Sequence, residues 1–363
     1  MLVRPASVAV VLVCALLGAT ACSGEEPAAA PPPVTPASTP TSSAPSEGTI
    51  AVMMPGPSRR TLGFDSSAFT SAVADNCADC AVDYYDAAGD AGLQVVQFTT
   101  AIDAGARVVL IHAVEPVAVA PLIEAAQEGG VKVVGYETLL EGLDAYIALD
   151  QGEVGREQAR SLLDADGGQG SMLMLNGAPT DPGALQVKEG AHRVIDRSGA
   201  AVVGEFDALP ERPGATATWL ETMLVFYPPA VLSGVYAADD TLAGSTLDAL
   251  RAAGAAEAVP PITGAGATLA GVRRIVDGTQ LMTTYRPVEP AAQTAAQVTV
   301  AALRGTNPGP AGSDALGVPT YLLDPVVVTR RNVEETVVAD GYWSVESICT
   351  RALRTACTRA GLR

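Results

Sequence analysis

Short apolar runs rich in Val, Ile, Leu or Met recur along the chain at Thr49 to Met54, Arg107 to Ala113, Val131 to Gly135, Ser171 to Asn176 and Ala230 to Ala237. Runs this short, apolar throughout instead of alternating, predict strands buried on both faces. Between them lie longer stretches with helical spacing of apolar positions, among them Pro116 to Glu128, Glu153 to Leu163, Leu185 to Ile195 and Asp240 to Ala253, several closed by glycine. Repeated strand and helix units predict an α/β chain with parallel sheets and right-handed crossovers. In such sheets ligands bind outside the carboxyl ends of the strands, so the residues just after each strand are the candidates for chemistry.

The N-terminus breaks this pattern. Arg4 precedes an apolar run from Val8 to Ala21, long enough for the core of an export signal but short of the ~20 residues a membrane-spanning helix needs. Residues 23–48 are almost all Ser, Gly, Glu, Pro, Ala and Thr, a composition that cannot bury enough apolar surface to offset chain entropy and predicts an extended tether. The rest, about 315 residues, exceeds one typical core and predicts two lobes of ~150 residues. The segment Leu17 to Cys22 places small residues directly before a cysteine, which resembles the lipobox of bacterial lipoproteins. That resemblance implies a signal peptide over 1–22 and a diacylated Cys22 at the mature N-terminus; an ordinary signal peptide cut at an A-x-A-like site is the alternative.

Charge and cysteines narrow the class. The chain carries 40 Asp and Glu against 22 Lys and Arg, a formal net charge of −18, which disfavours binding to a phosphate backbone that must be neutralised by Lys and Arg. An export signal and a Pro-rich tether also stand where a DNA-binding regulator would carry its helix-turn-helix. No nucleic-acid partner is expected. Of the six cysteines, Cys14 leaves with the signal and Cys22 takes the lipid. The other four form two close pairs, Cys77 with Cys80 and Cys349 with Cys357, and two local disulfides in an oxidising compartment are the simplest reading. The Cys77 to Cys80 spacing also matches a thioredoxin-like redox motif, but it sits where a helical pattern leads into a strand instead of at the strand-to-helix start that stabilises a thiolate. Four-cysteine zinc sites use two closely spaced pairs, and the second pair here is too far apart. No metal and no cofactor are expected. Residues 349 to 357 cannot bridge along one straight helix, whose rise over that span is ~12 Å against the ~7 Å limit between Cα atoms; the chain between them must break.

The residues after the strands bring a resemblance into view. The segments Val131 to Glu137, Asp144 to Gln151, Asn176 to Asp181, Ala237 to Gly244 and Leu269 to Gln280 resemble the periplasmic sugar-binding family, most of all its xylose-binding branch. The likeness continues through Thr284 to Pro287 and Val326 to Thr329 to Asp340-Gly-Tyr-Trp343. It implies an α/β fold of two Rossmann-like lobes with parallel sheets, joined by a three-crossing hinge near Asp150, Thr283 to Tyr285 and Leu323 to Val326. The N-lobe would be residues 49–149 with 284–323, and the C-lobe residues 150–283 with 324–363. It implies further a monomeric substrate-binding protein that captures a small sugar, such as a pentose, between its lobes and presents it to an ABC permease.

A sugar hydroxyl both donates and accepts, so a sugar cleft pairs carboxylates, amides and Arg around the ring while an aromatic face covers its C–H surface. The resemblance points to Glu137 and Asp150 at strand ends, to Asp181 and Asp239, and less directly to Tyr136, Asn176 and Arg286. Arg286 has a hinge ion pair as its alternative role, and Asp240 is a candidate N-cap for the helix it opens. Arg59 and Arg60 follow the first strand and are candidates for solute hydroxyls or an acid group. Several polar partners of the family are replaced here: its Asp-Arg pair appears as Glu137-Thr138, its Asn-Asn as Pro182-Gly183, its Asn-Asp as Asp239-Asp240 and its Gly-Gln-Asp as Gly264-Ala265-Gly266. The tryptophan expected after the first strand is absent, leaving Phe64 as the substitute face. These losses keep open a second reading, a non-transport solute sensor or a degenerate binding protein with a non-sugar ligand.

Catalysis finds little support. His112 lies in an apolar strand pattern and His192 on a helix among Lys188, Glu189 and Arg193, no Ser, Cys or His constellation stands out, and Gly264-x-Gly266 lacks the third glycine of a dinucleotide loop. The expectation is a binding protein, not an enzyme.

Overall fold

The computed structural model describes residues 48–56, 64–209, 212–255 and 259–363. The chain begins with β1 (Gly48–Met54), α1 (Ser66–Asn76), β2 (Cys80–Asp86), α2 (Ala91–Asp103), β3 (Ala106–Ile111), α3 (Pro116–Glu128), β4 (Lys132–Tyr136) and β5 (Ala145–Leu149). Local chemistry sets the helix starts: Asp65 and Asp90 cap α1 and α2 by accepting the Ala68 and Leu93 N–H groups, and Pro116 opens α3 where its missing N–H costs nothing. The second stretch runs through α4 (Gln151–Asp166), β6 (Gln169–Asn176), α5 (Pro182–Ile195), β7 (Gly199–Asp207), α6 (Pro213–Phe226), β8 (Leu232–Ala237), α7 (Asp240–Ala252) and α8 (Leu269–Asp277). The last holds β9 (Thr283–Tyr285), α9 (Val288–Arg304), β10 (Ser313–Ala315), β11 (Val318–Leu323), β12 (Val326–Val328), α10 (Val345–Ile348) and α11 (Arg354–Arg359).

Among the described residues, one seven-stranded sheet has the order β10-β11-β5-β4-β3-β1-β2, parallel except for the β10–β11 hairpin. A second sheet, β7-β6-β8, is parallel throughout. The apolar runs are apolar throughout because both faces of the first sheet are covered. Ile50 and Val52 of β1 pack with Phe69 of α1 and Ala295 of α9, while Ala51 and Met53 point the other way onto Phe98 of α2 and Ile123 of α3. Each fully buried Ile, Val, Met or Phe side chain among them contributes roughly 1.5–3 kcal/mol. The pattern fails at the edges: β2 and β7 are flanked on one side only and are largely exposed or half-buried, so neither reads as a continuous apolar run. The run from Ala230 to Ala237 also begins late, because Pro229 to Val231 form a 3-10 turn and the strand starts at Leu232.

Chain passages between the two sheets fall at Leu149 to Asp150, at β9 and at Leu323 to Val326. There β9 pairs antiparallel with β12, and the Asp150 N–H donates to the Leu323 carbonyl at 2.9 Å. Both cysteine pairs are brought together, with Cα separations of 5.4 Å for Cys77 and Cys80 and 5.9 Å for Cys349 and Cys357. Between the latter, α10 ends at Ile348 and a 3-10 turn over Arg351–Leu353 precedes α11, which turns the chain back. Among the described residues no helix is long and apolar enough to cross a membrane.

Candidate functional site

A cleft of about 1550 Å³ opens beside the three passages, at the carboxyl ends of strands from both sheets. It is lined by Glu137, Asp150, Asp181, Asp239 and Arg286, which lie far apart in sequence. Glu137 follows β4 in a left-handed conformation, φ 58°, which a side chain other than Gly adopts only when its surroundings hold it there. Here its N–H donates to the Ile147 carbonyl at 2.8 Å, and its Oε1 accepts the Leu149 N–H at 2.9 Å and Arg286 Nη2 at 2.7 Å. Arg286, just after β9, is buried and lies 5.5 Å over the ring of Tyr136, whose hydroxyl is 3.4 Å from Nη1. Burial pushes the Tyr136 phenol up. Burial, aided by the Arg286 charge, lowers His112 from 6.5 to about 4, so this imidazole is neutral at neutral pH.

The three aspartates share a local role. Asp150 caps α4 through the Glu153 N–H, Asp181 caps α5 through the Gly183 and Ala184 N–H groups, and Asp239 caps α7 through those of Thr241 and Leu242. Three helix N-termini therefore face the cleft, each with one or two of its orphan donors satisfied by a carboxylate. Asp150 also pairs with Arg156 at 3.2 Å, and Glu153 pairs with Arg156 as well. The N-cap of α7 is Asp239, not Asp240. Asp240 is buried within the lobe, where it accepts the Thr268 N–H at 2.7 Å, the Thr268 hydroxyl at 3.0 Å and Gln280 Nε2 at 2.7 Å, and burial raises its pKa.

Residues 50–307 match the family model described as "Periplasmic binding protein domain". The chain belongs to the periplasmic binding protein family. It is 32% identical over 274 residues to the D-xylose-binding periplasmic protein of Haemophilus influenzae, a match covering 72% of this chain and 80% of that one. To the D-xylose-binding periplasmic protein of Escherichia coli it is 31% identical over 263 residues, covering 70% and 79%. A carbohydrate transporter solute-binding protein of Chloroflexus aurantiacus, solved in complex with D-glucose, superposes with a TM-score of 0.61 at 25% identity, covering 83% of this chain and 98% of that one. The two α/β lobes are those of a type 1 periplasmic binding protein.

In this binding protein other candidate residues lie away from the cleft. Phe64 does not offer a ring to it: the side chain is buried in the first lobe, 5.2 Å from the ring of Phe69 and 5.3 Å from that of Tyr136. Tyr136 is itself fully buried and touches Arg286, which lines the cleft. Asn176 ends β6 inside a polar cluster, donating to Glu205 at 2.8 Å and Asp207 at 2.9 Å, carboxylates that also hold Lys188 and, through Glu205, His192. It is absent from the cleft wall because β7 runs alongside β6 and its carboxylates take up the amide. Arg59, Arg60 and Cys22 lie outside the described residues. Among the described residues no group of three or more His, Cys, Asp or Glu side chains is placed to hold a metal.

Arg156, Tyr146 and Trp343 also line the cleft, and sequence pattern alone does not single them out. Arg156 could have been found as a cation two turns into a helix capped by Asp150. Trp343 lies in the segment Asp340 to Trp343, but nothing local marks that this segment returns to the cleft. Its indole Nε1 donates to the Ala267 carbonyl at 2.7 Å.

Proposed function

We propose that this chain is the extracytoplasmic solute receptor of an ABC importer and captures a small sugar, a pentose such as xylose or a related solute, between its lobes. The carrying observation is the cleft itself, where Glu137, Asp150, Asp181, Asp239, Arg156 and Arg286 converge at strand ends of both sheets. Carboxylates and guanidinium groups lining one cavity suit hydroxyls that donate and accept at once. Hydrogen bonds to charged groups contribute about 1.5–3 kcal/mol each. The cleft volume, about 1550 Å³, exceeds the ~300–1,000 Å³ of sites closed around small ligands, which supports a hinge motion about β9 and β12. The bodies that move are residues 49–149 with 284–323 and residues 150–283 with 324–363.

The test is calorimetry and thermal shift against D-xylose, D-glucose, D-ribose, myo-inositol, polyols and nucleosides, on wild type and Asp239→Asn. Asparagine caps a helix as well as aspartate, so the apo variant should melt like wild type. A solute at a hundred times its Kd adds about 2.7 kcal/mol to wild-type stability; the variant should bind it at least roughly tenfold more weakly, one charged hydrogen bond being worth that much. Equal affinity in both proteins would place the solute elsewhere. No response to any compound would transfer the reading to a sensor or a protein with a non-sugar ligand.

The same reading makes Cys22 the lipid site and oxidises both cysteine pairs, consistent with their Cα separations. Intact-mass measurement of the membrane-extracted protein should show a chain starting at Cys22, carrying acyl groups and lacking four hydrogens. A mass without acyl groups, or four alkylatable thiols, would defeat it.

A further inference from the structure

The cleft has two chemically different sides. Carboxylates stand at the ends of β4, β5, β6 and β8, whereas the wall leading into α8 presents Ala265, Gly266, Ala267, Thr268 and Leu269, with Trp343 beside them. Most polar atoms of this second wall already have hydrogen-bond partners. The Ala265 carbonyl accepts the Asp240 N–H at 3.0 Å, the Gly266 N–H donates to the Thr284 carbonyl at 2.8 Å, and the Ala267 N–H donates to Thr283 Oγ1 at 3.1 Å. The Ala267 carbonyl is taken by the Trp343 indole N–H, and the Thr268 hydroxyl is turned inward to Asp240. Gly266 and Ala267 hold positive φ, 99° and 43°, a conformation kept in place by these same bonds. Tyr342, which also lines the cleft, packs edge-on to Trp343 at 6.2 Å and edge-on to Tyr285 of the hinge strand at 5.5 Å.

We propose that Trp343 and the loop 265–269 form an apolar specificity wall, which selects solutes presenting C–H or methyl surface there and rejects those presenting a hydroxyl. The inference rests on the sugar-binding reading and adds the chemistry of one face of the sugar. A hydroxyl turned against this wall loses its water and meets, among the described residues of the loop, polar atoms that are mostly already bonded, while the indole covers a C–H face well. Because an apolar pocket rejects an added hydroxyl only moderately, the discrimination should be about 10- to 100-fold.

The experiment is calorimetry on the full chain with sugars that differ at one carbon: D-glucose against 6-deoxy-D-glucose and D-xylose, and D-galactose against D-fucose. In the series that binds, wild type should favour the member without the hydroxyl by about 10- to 100-fold. Trp343→Phe should keep most of that ratio, and Trp343→Gln should reduce it to less than about threefold, since a polar side chain supplies the missing partner. A second readout does not depend on how those variants fold. The chain has two tryptophans, and Trp219 stacks on Phe206 at 5.3 Å, away from the cleft; in Trp219→Phe the emission reports Trp343 alone and should shift when the favoured sugar is added. Equal affinity for both members of the binding series in wild type, a ratio unchanged in Trp343→Gln, or bound sugar without a change in Trp343 emission each overturns the wall while leaving sugar binding intact. Absence of binding by every sugar overturns the sugar reading and the wall with it.

Discussion

Replacing Arg286 with methionine is expected to destabilise the protein by about 3–5 kcal/mol, the range for removing one partner of a buried ion pair. The side chains of Arg286 and Glu137 are only 10% and 15% exposed, so the substitution strands a carboxylate with little water to solvate it. Glu137 also sits in a left-handed backbone conformation held partly through that carboxylate, which accepts the Leu149 N–H. The loss therefore reaches the ends of β4 and β5 and the passage into α4. Urea unfolding of the single variants and of Arg286→Met with Glu137→Gln separates the pair from its surroundings. The double variant should recover part of the loss, because no charge is left unpaired. A single variant within about 1 kcal/mol of wild type, the value of an exposed pair, would show that the pair is solvated and does not hold the hinge.

The second large effect is steric. A Cβ added at Gly155 of α4 would lie 1.9 Å from the Val187 carbonyl oxygen of α5, and one at Gly190 of α5 would lie 2.0 Å from the Gly152 carbonyl oxygen of α4. Both obstacles are backbone, so no rotamer change relieves them and the helices must separate. Gly155→Ala or Gly190→Ala should cost about 3 kcal/mol, the upper end for overpacking a tight contact, and lower Tm by roughly 5 °C or more. Separating α4 from α5 also moves their caps, Asp150 and Asp181, apart on the cleft wall, so affinity for the solute should fall with stability. Gly214→Ala is the control: a Cβ there meets nothing within 4 Å, and alanine in a helix gains about 0.5–1 kcal/mol over glycine. If all three variants melt alike, the glycine contact does not set the spacing of the two helices.

The elements of this fold were legible wherever burial is complete and the chemistry is local. Thr49 to Met54 reads as a strand because α1 and α9 cover one face and α2 and α3 the other, and α3 has the bounds its apolar spacing and Pro116 predict. Edge strands β2 and β7 left a weak trace, since half of their side chains meet water whatever their register. One-residue ambiguities were also beyond local pattern. Asp239 and Asp240 are both competent caps, and only the packing of α8, which brings Thr268 to Asp240, decides between them.

The candidate site divides along the same line. Strand ends are visible in sequence, so Glu137, Asp150, Asp181 and Asp239 could be nominated, and the structure puts them on one cleft. Phe64 and Asn176 have the right residue types after the right strands, yet one fills a core gap beside Tyr136 and the other is taken up by carboxylates of β7. Trp343 reaches the cleft because the chain crosses to the second lobe once more and folds back over Ala267, 76 residues upstream. Periodicity and capping act between neighbours a few residues apart, so the sequence by itself determines the strands, the helices and the residues at their ends. Which of those residues share a cavity depends on contacts between segments far apart in the chain, and those contacts exist only once both lobes have packed.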